Sequence, residues 1–174
     1  MRFQGYCLIL LLCWLALAST GCISAAGGAH GDLPLPVTVL QTGRQCSASG
    51  NEWRGTWLTS PEALREWMAA CRSNIVAPRR DYVPGVDFSR FGVLAVEMGM
   101  RNSAGYGFDT AGVAGYTAGR MVTVTVNCHQ PAPGAITAQV ITSPFILIQI
   151  PMDDYDGIRV LDRDARPLVE IGCP

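Results

Sequence analysis

The sequence predicts a mainly β fold of the α+β class, built as a single β-sandwich or barrel-like sheet of short strands with one helix. Three observations predict it: about eight or nine short segments with strand character, turn residues that separate them, and a single stretch with helical spacing. A chain of 174 residues, 49% of them hydrophobic, suits one core. We therefore expect one β-rich domain over residues 37–174.

The predicted strands are short and follow each other closely along the chain. The clearest signal is MVTVTVNC, in which Val122, Val124 and Val126 share one face and the threonines share the other. The segment FILIQI is apolar enough for a central strand. The predicted strands are Val37–Gln41, Trp53–Trp57, Phe91–Met100, Ala114–Tyr116, Met121–Cys128, Ala138–Thr142, Phe145–Pro151, Ile158–Leu161 and Leu168–Ile171, with hairpin turns over Thr117–Arg120 and Asp162–Arg166.

The predicted helix runs from Pro61 to Arg72. Residues 59–62 read Thr-Ser-Pro-Glu, which combines a hydroxyl cap, a proline in the first turn and an acid near the positive helix end. Apolar residues then recur at helical spacing and predict a core-facing stripe. That stripe consists of Leu64, Trp67, Met68 and Cys71.

Composition excludes several classes of function. A net charge of −1 gives no basic surface for a phosphate backbone, so we expect no nucleic-acid partner. All 13 basic residues are arginine, which excludes Schiff-base and phosphate-loop lysines. The only histidines are His30 and His129, too few for a His-rich metal site. We expect no metal and no cofactor.

The N-terminus is typical of an export signal. Arg2 precedes an apolar run that is too short for a membrane-spanning helix, and small residues follow it. The exit Ser-Thr-Gly-Cys resembles the bacterial lipobox, so residues 1–21 are interpreted as a signal peptide and Cys22 as the lipidated residue. The alternative is an ordinary signal peptide cleaved after Ala18. Residues 22–36 are small and rich in glycine and proline, which predicts a flexible tether.

A lipidated Cys22 places the protein in the bacterial cell envelope, attached to a membrane through its acyl chains. Ile23 follows it, at a position where aspartate would favour retention in the inner membrane. This favours the periplasmic face of the outer membrane.

The remaining cysteines predict disulfides. Cys46, Cys71, Cys128 and Cys173 are an even set in an exported chain, which indicates two bridges with three possible connectivities. Proximity in sequence favours pairing Cys46 with Cys71 and Cys128 with Cys173. The competing tetrathiolate zinc site lacks the C-x-x-C pairs that zinc prefers.

Several motifs occur in a recognisable order between Trp53 and Pro151. They are an aromatic strand, a helix containing ALREWM, the run VDFSRFGVLAVEMG, a glycine turn, a Pro-Gly loop and a T-x-P-F-x-L-x-x-I-P strand. In this order and spacing the chain resembles the protease complex subunit PrcB family, and its C-terminal domain most closely. The resemblance implies an exported, β-rich, non-catalytic subunit that assists or associates with a protease.

The glycine turn is the predicted partner-binding loop, since Gly105 and Gly107 permit close backbone approach and Tyr106 can supply a rigid contact. The competing interpretation is a hairpin turn with Tyr106 packed on the sheet. The turn is also similar to a loop of chagasin-like cysteine protease inhibitors, so direct inhibition stays open, as does a purely structural envelope role. The loop consists of Asn102, Ser103, Ala104, Gly105, Tyr106 and Gly107.

Three other groups favour structural over functional interpretations. Cys128 and His129 are neighbours on a predicted strand and so point to opposite faces, and no hydrolase motif occurs. We therefore expect no catalytic residues. Trp53 and Trp57 suit a core face better than an exposed platform. The acidic turn at 153–157 lacks the ligand series of a calcium loop.

Overall fold

The computed structural model describes residues 32–46, 50–71 and 83–173. Within these ranges the chain folds into two packed β-sheets and one helix, which confirms the predicted β-sandwich of the α+β class. The elements are β1 (Leu33–Leu35), β2 (Thr38–Gly43), β3 (Arg54–Leu58), α1 (Pro61–Cys71), β4 (Phe91–Glu97), β5 (Gly107–Ala118), β6 (Met121–His129), β7 (Phe145–Pro151), β8 (Gly157–Leu161) and β9 (Pro167–Gly172).

One sheet has the strand order β1-β5-β6-β8-β9 and the other the order β2-β7-β4-β3. Neighbouring strands are antiparallel except β6 and β8, which run parallel. We call them the five-stranded and the four-stranded sheet. A parallel pair cannot be joined by a tight turn, and the connection from β6 to β8 passes through β7 in the other sheet.

The main core lies between the two sheets. Val122, Val124 and Val126 of β6 are fully buried, as their alternation predicted. They pack with Leu94 of β4 and Ile148 of β7 in one cluster. Each fully buried aliphatic side chain contributes about 1.5–3 kcal/mol relative to its exposed state, so this face fixes the register of both sheets.

The helix covers the outer face of the four-stranded sheet. Leu64 and Met68 of α1 are buried against Val93 and Leu147, the opposite face of the strands that line the main core. Because this sheet is buried on both faces, β4 and β7 are nearly continuous apolar runs. The Ser60 hydroxyl accepts a hydrogen bond from the Ala63 amide (3.1 Å), which confirms the predicted cap.

The cysteines form one disulfide among the described residues. Cys46, beyond β2, is bonded to Cys71 at the end of α1, as predicted. The predicted Cys128–Cys173 bridge is wrong, and both are free thiols. Cys173 follows β9 at the end of the sheet where Met121 begins β6. Cys128 lies about 20 Å further along β6, and disulfide Cα atoms lie within about 7 Å of each other.

Three further predictions differ from the structure. The strand predicted over Ala114–Tyr116 is much longer and runs from Gly107 to Ala118 as β5. The predicted strand Ala138–Thr142 is absent, because only Thr142 forms a bridge with a neighbouring chain segment. A short strand, Leu33–Leu35, lies inside the range predicted as a tether, and it pairs with residues 115–117 of β5.

The signal peptide, Cys22 and residues 23–31, with His30, lie outside the described residues. No helix within the described ranges is long and apolar enough to cross a membrane.

Candidate functional site

The loop 102–107 lies at one end of the sandwich, where β5 begins and β6 ends. Gly107 pairs with His129 in the first step of the β5–β6 ladder. Ser103 is buried and Asn102 is exposed, and the rest of the loop is half-buried except the buried Gly107. Tyr106 packs against the main core. The loop is therefore a packed turn with Tyr106 against the core, and a partner-binding role for residues 102–107 stays a prediction.

A second loop, residues 131–142, covers the first. The Ala104 amide donates to the Ala138 carbonyl (3.1 Å), and the buried Thr142 hydroxyl donates to the Ser103 carbonyl (2.9 Å). Gly105 lies so close to Pro131 that a side chain there would meet the proline ring at 2.5 Å. The two loops thus form one packed unit.

The covering loop exposes a group of aliphatic side chains to solvent. Ile136 is fully exposed (102%), Ile141 is 71% exposed and Val140 is 48% exposed. Met100, at 38% exposure, lines the same depression as Ile141. No charged residue occurs between His129 and Asp153 in the sequence. We call Met100, Ile136, Val140 and Ile141 the apolar end surface.

Arg101 separates this surface from a cleft that opens at the same end. Its guanidinium carbon lies 5.9 Å from the ring centroids of both Trp53 and Tyr106. Beyond it, a cleft of about 400 Å³ extends to the β8–β9 turn and Leu168. We call this the end cleft. Its lining is Trp53, Met98, Arg101, Tyr106, Asn127, Cys128, His129, Gln130, Asp162, Arg163, Asp164, Arg166 and Leu168.

The Cys128–His129 pair is not arranged as a nucleophile and its base. Cys128 packs against the core cluster, whereas His129 Nδ1 lies 3.2 Å from Asp109 Oδ1 on the outer face. Burial raises the pKa of the Cys128 thiol, and the nearby Asp162 raises it further. Because the thiolate is the reactive form of cysteine, these surroundings lower its nucleophilic fraction at neutral pH.

The other candidates have structural surroundings. Trp57 packs over Gly92 within the main core, and Trp53 contacts Phe108 edge to face with ring centroids 5.9 Å apart. In the acidic turn, Asp156 pairs with Arg120 at 2.8 Å. Across the described parts of the chain, no group of three or more His, Cys, Asp or Glu side chains could hold a metal ion.

Two features of this end were missed by sequence reasoning. Val140 and Ile141 were assigned to a strand, which hid their exposure, although the neighbouring prolines and glycine at 131–134 marked an irregular segment. Arg101 is not among the residues that the sequence predicts to be functional. Its position two residues after the buried run 92–99 is the available signal that its side chain stands at the edge of the core.

The fold defines a class of protein: a β-sandwich domain whose irregular loops gather at one end. The family model described as PrcB C-terminal matches residues 93–151, which supports a PrcB-family domain in this part of the chain, as the sequence motifs predicted. The match runs from β4 through β7 and includes the loop 102–107, Arg101 and the apolar end surface. It is compatible with a module associated with a protease complex. No curated protein and no solved structure matches the chain.

Proposed function

We propose that this protein is a non-catalytic binding module that associates with a protease in the bacterial cell envelope as an accessory subunit. The observation that carries the proposal is the apolar end surface, which lies inside the PrcB-matched region. Groups of exposed aliphatic side chains on a folded domain are typical of protein contact sites. Ile136 and Ile141 are the most exposed of them.

The surface is suited to binding because its loop is held in place before any partner arrives. Hydrogen bonds from Ala104 and Thr142 fix residues 102–107 to the covering loop. An interface that is already ordered loses less conformational entropy on association. Its contacts would be apolar and steric, with no reacting side chain from this chain.

Direct inhibition of the chagasin-like type is less well supported. That mechanism needs the turn Ser103–Tyr106 to enter a protease cleft, but Ser103 is 4% exposed and its carbonyl already accepts a hydrogen bond from Thr142. Residues 131–138 lie over the turn and would have to move first. We therefore place partner contact on the covering loop.

Lipid attachment at Cys22 is part of the proposal. The first described strand pairs Leu33 with Thr117, at the end of β5 opposite Gly107. A tether from Cys22 would therefore enter at one end of the sandwich and leave the apolar end surface at the other. Replacement of Cys22 by alanine should release the protein from the membrane fraction, with outer membrane as the expected fraction for the wild type. Retention of the variant in that fraction would contradict the anchor.

Affinity capture of the full-length protein tests the function. The Cys173 amide donates a hydrogen bond to the Asp156 carbonyl at the tether end of the sandwich, so a C-terminal tag leaves the apolar end surface free. From solubilised envelopes, we expect a protease at near-stoichiometric amount by quantitative mass spectrometry. A tagged unrelated lipoprotein is the control. Absence of any protease enriched over that control would contradict the proposal and favour a purely structural envelope role.

A further inference from the structure

The end cleft contains the guanidinium of Arg101. This group is held in place, but only one of its three nitrogens makes hydrogen bonds within the described residues. Arg101 Nη1 donates to the Asn51 carbonyl (2.7 Å) and to the Met100 carbonyl (2.9 Å). The rings of Trp53 and Tyr106, each 5.9 Å away, hold the planar group further. Arginine has five N–H donors, and within the described ranges Nε and Nη2 of Arg101 make no hydrogen bond.

The carboxylates that line the end cleft, Asp162 and Asp164, and the neighbouring Asp109 have partners within the chain. Asp162 accepts hydrogen bonds from the amides of Asp164 and Arg166, both at 2.8 Å, and this holds the β8–β9 turn. Asp109 lies against His129, and Asp164 lies 3.7 Å from Arg166. The cleft therefore has cationic groups whose donors are not matched by its own anions.

A second cation lines the same cleft. Arg163 lines the cleft on the β8–β9 turn, and it makes no hydrogen bond or ion pair with any residue that the structure describes. Beside polar side chains such as Asn127 and Gln130, the lining includes four apolar or aromatic ones: Trp53, Met98, Tyr106 and Leu168. A ligand that fits this lining combines an anionic group with an apolar body.

We propose that the end cleft binds a carboxylate carried by an apolar peptide, with Arg101 as the group that binds the carboxylate. Guanidinium groups recognise carboxylates through paired N–H donors. A guanidinium whose orientation is already fixed loses little conformational entropy when it binds. Trp53, Tyr106 and Leu168 would contact the apolar side chain next to the carboxylate. This deepens the proposed function, because Arg101 also lines the depression beneath Met100 and Ile141. A partner segment on the apolar end surface would then reach the cleft directly.

A chain terminus and an acidic side chain offer the same carboxylate chemistry, and three peptides separate them. The probes are acetyl-Ala-Val-Phe with a free terminal carboxylate, its C-terminal amide, and acetyl-Ala-Asp-Phe amide. Binding to the full-length protein is measured by chemical-shift titration. We expect one of the two carboxylate peptides to bind at least about 10-fold more tightly than the uncharged amide, since hydrogen bonds to charged groups are worth at least that factor. The peptide that does so identifies the source.

Variants assign the effect to Arg101. Arg101→Gln should weaken binding of the preferred peptide about 10-fold, and Arg101→Lys should restore part of it because the charge is kept and the fork is lost. Arg159→Gln is the matched control, since Arg159 pairs with Glu170 away from the cleft. Urea unfolding of each variant checks that the fold is intact. Three results would overturn the inference. They are equal affinity for the carboxylate and amide peptides, no binding of any of the three peptides, and an unchanged affinity in Arg101→Gln.

The two proposals fail separately. If a protease is captured but no carboxylate peptide binds, the carboxylate site is wrong and the accessory function stands. If a carboxylate peptide binds through Arg101 but no protease is captured, the site stands and the protease partner is wrong.

Discussion

Arg101 and Thr142 exchange two backbone hydrogen bonds, with N–O distances of 2.7 and 2.8 Å in the two directions. This isolated bridge joins the loop after β4 to the loop before β7. It holds the apolar end surface and the end cleft side by side, because Arg101 lines both depressions. Residues on either side of the bridge should therefore affect stability and binding together.

Removal of the Thr142 hydroxyl should loosen this unit. Thr142 is 3% exposed, and its hydroxyl donates to the Ser103 carbonyl at 2.9 Å. In Thr142→Val the buried carbonyl loses its side-chain donor, which costs about 1–3 kcal/mol. Urea unfolding should show that decrease in the free energy of unfolding. The exposed Thr110→Val is the matched control and should stay within about 0.5 kcal/mol of the wild type.

A methyl group at Gly105 should separate the two loops. The added carbon would meet Pro131 at 2.5 Å and Thr137 at 3.1 Å. Gly105→Ala should therefore lower the free energy of unfolding by about 1–3 kcal/mol through overpacking. Gly85→Ala, where the added carbon meets nothing within 4 Å, is the control for the substitution itself. Equal unfolding curves for the two variants would show that the loops are not packed as described.

The single described disulfide should account for a large part of the stability. Cys46 and Cys71 are separated by 25 residues, and closing a loop of that length contributes about 3–4 kcal/mol. In the double variant Cys46→Ser with Cys71→Ser, the free energy of unfolding in urea should decrease by about that amount. The matched double variant Cys128→Ser with Cys173→Ser should lose much less, because these thiols are unbonded. Peptide mapping without reductant should find one bridge and two free thiols, and a mapped Cys128–Cys173 bond would contradict the structure.

Glu97 should make stability fall as the pH rises. Its side chain is 8% exposed beneath α1, and this desolvation raises the pKa of the carboxyl above 4.5. The hydrogen bond from Trp67 and the charge of Arg54 lower the pKa but do not cancel the increase. Between 4.5 and the raised pKa the folded state binds more protons than the unfolded state, so the free energy of unfolding decreases with pH.

Glu97→Gln keeps the acceptor for Trp67 but cannot ionise. The difference in stability between this variant and the wild type should therefore increase in favour of the variant between pH 4 and pH 7. Glu66→Gln, at an exposed position on α1, is the control. A difference that stays constant across this pH range would show that ionisation of Glu97 does not destabilise the folded state.

Residue patterns predicted the packed elements well and the irregular end poorly. Val122, Val124 and Val126 were placed correctly because a two-residue period follows directly from burial on one face. Cys46 and Cys71 were paired correctly by sequence proximity, but the same reasoning failed for Cys128 and Cys173, since the parallel β6–β8 pair puts them at opposite ends of the sheet.

The candidate site depended on tertiary contacts that carry no local pattern. Ile141 lies in a β-branched run that is typical of a strand, yet only Thr142 of this run forms a β-bridge, and Val140 and Ile141 before it stay exposed. The covering of Ser103 by Thr142 joins positions 39 residues apart in the sequence. Only the folded arrangement of both loops shows which side chains face solvent.

The most direct test of the account is the affinity of the captured protease for a variant of the apolar end surface. Ile136→Ser with Ile141→Ser should weaken binding at least about 100-fold, because each isoleucine contributes about 1.5–3 kcal/mol when buried. The control is Leu33→Ser with Tyr116→Ser, two exposed apolar residues at the opposite end, which should bind as the wild type does. Unchanged affinity in the isoleucine variant, or an equal loss in the control, would contradict the placement of the partner on this surface.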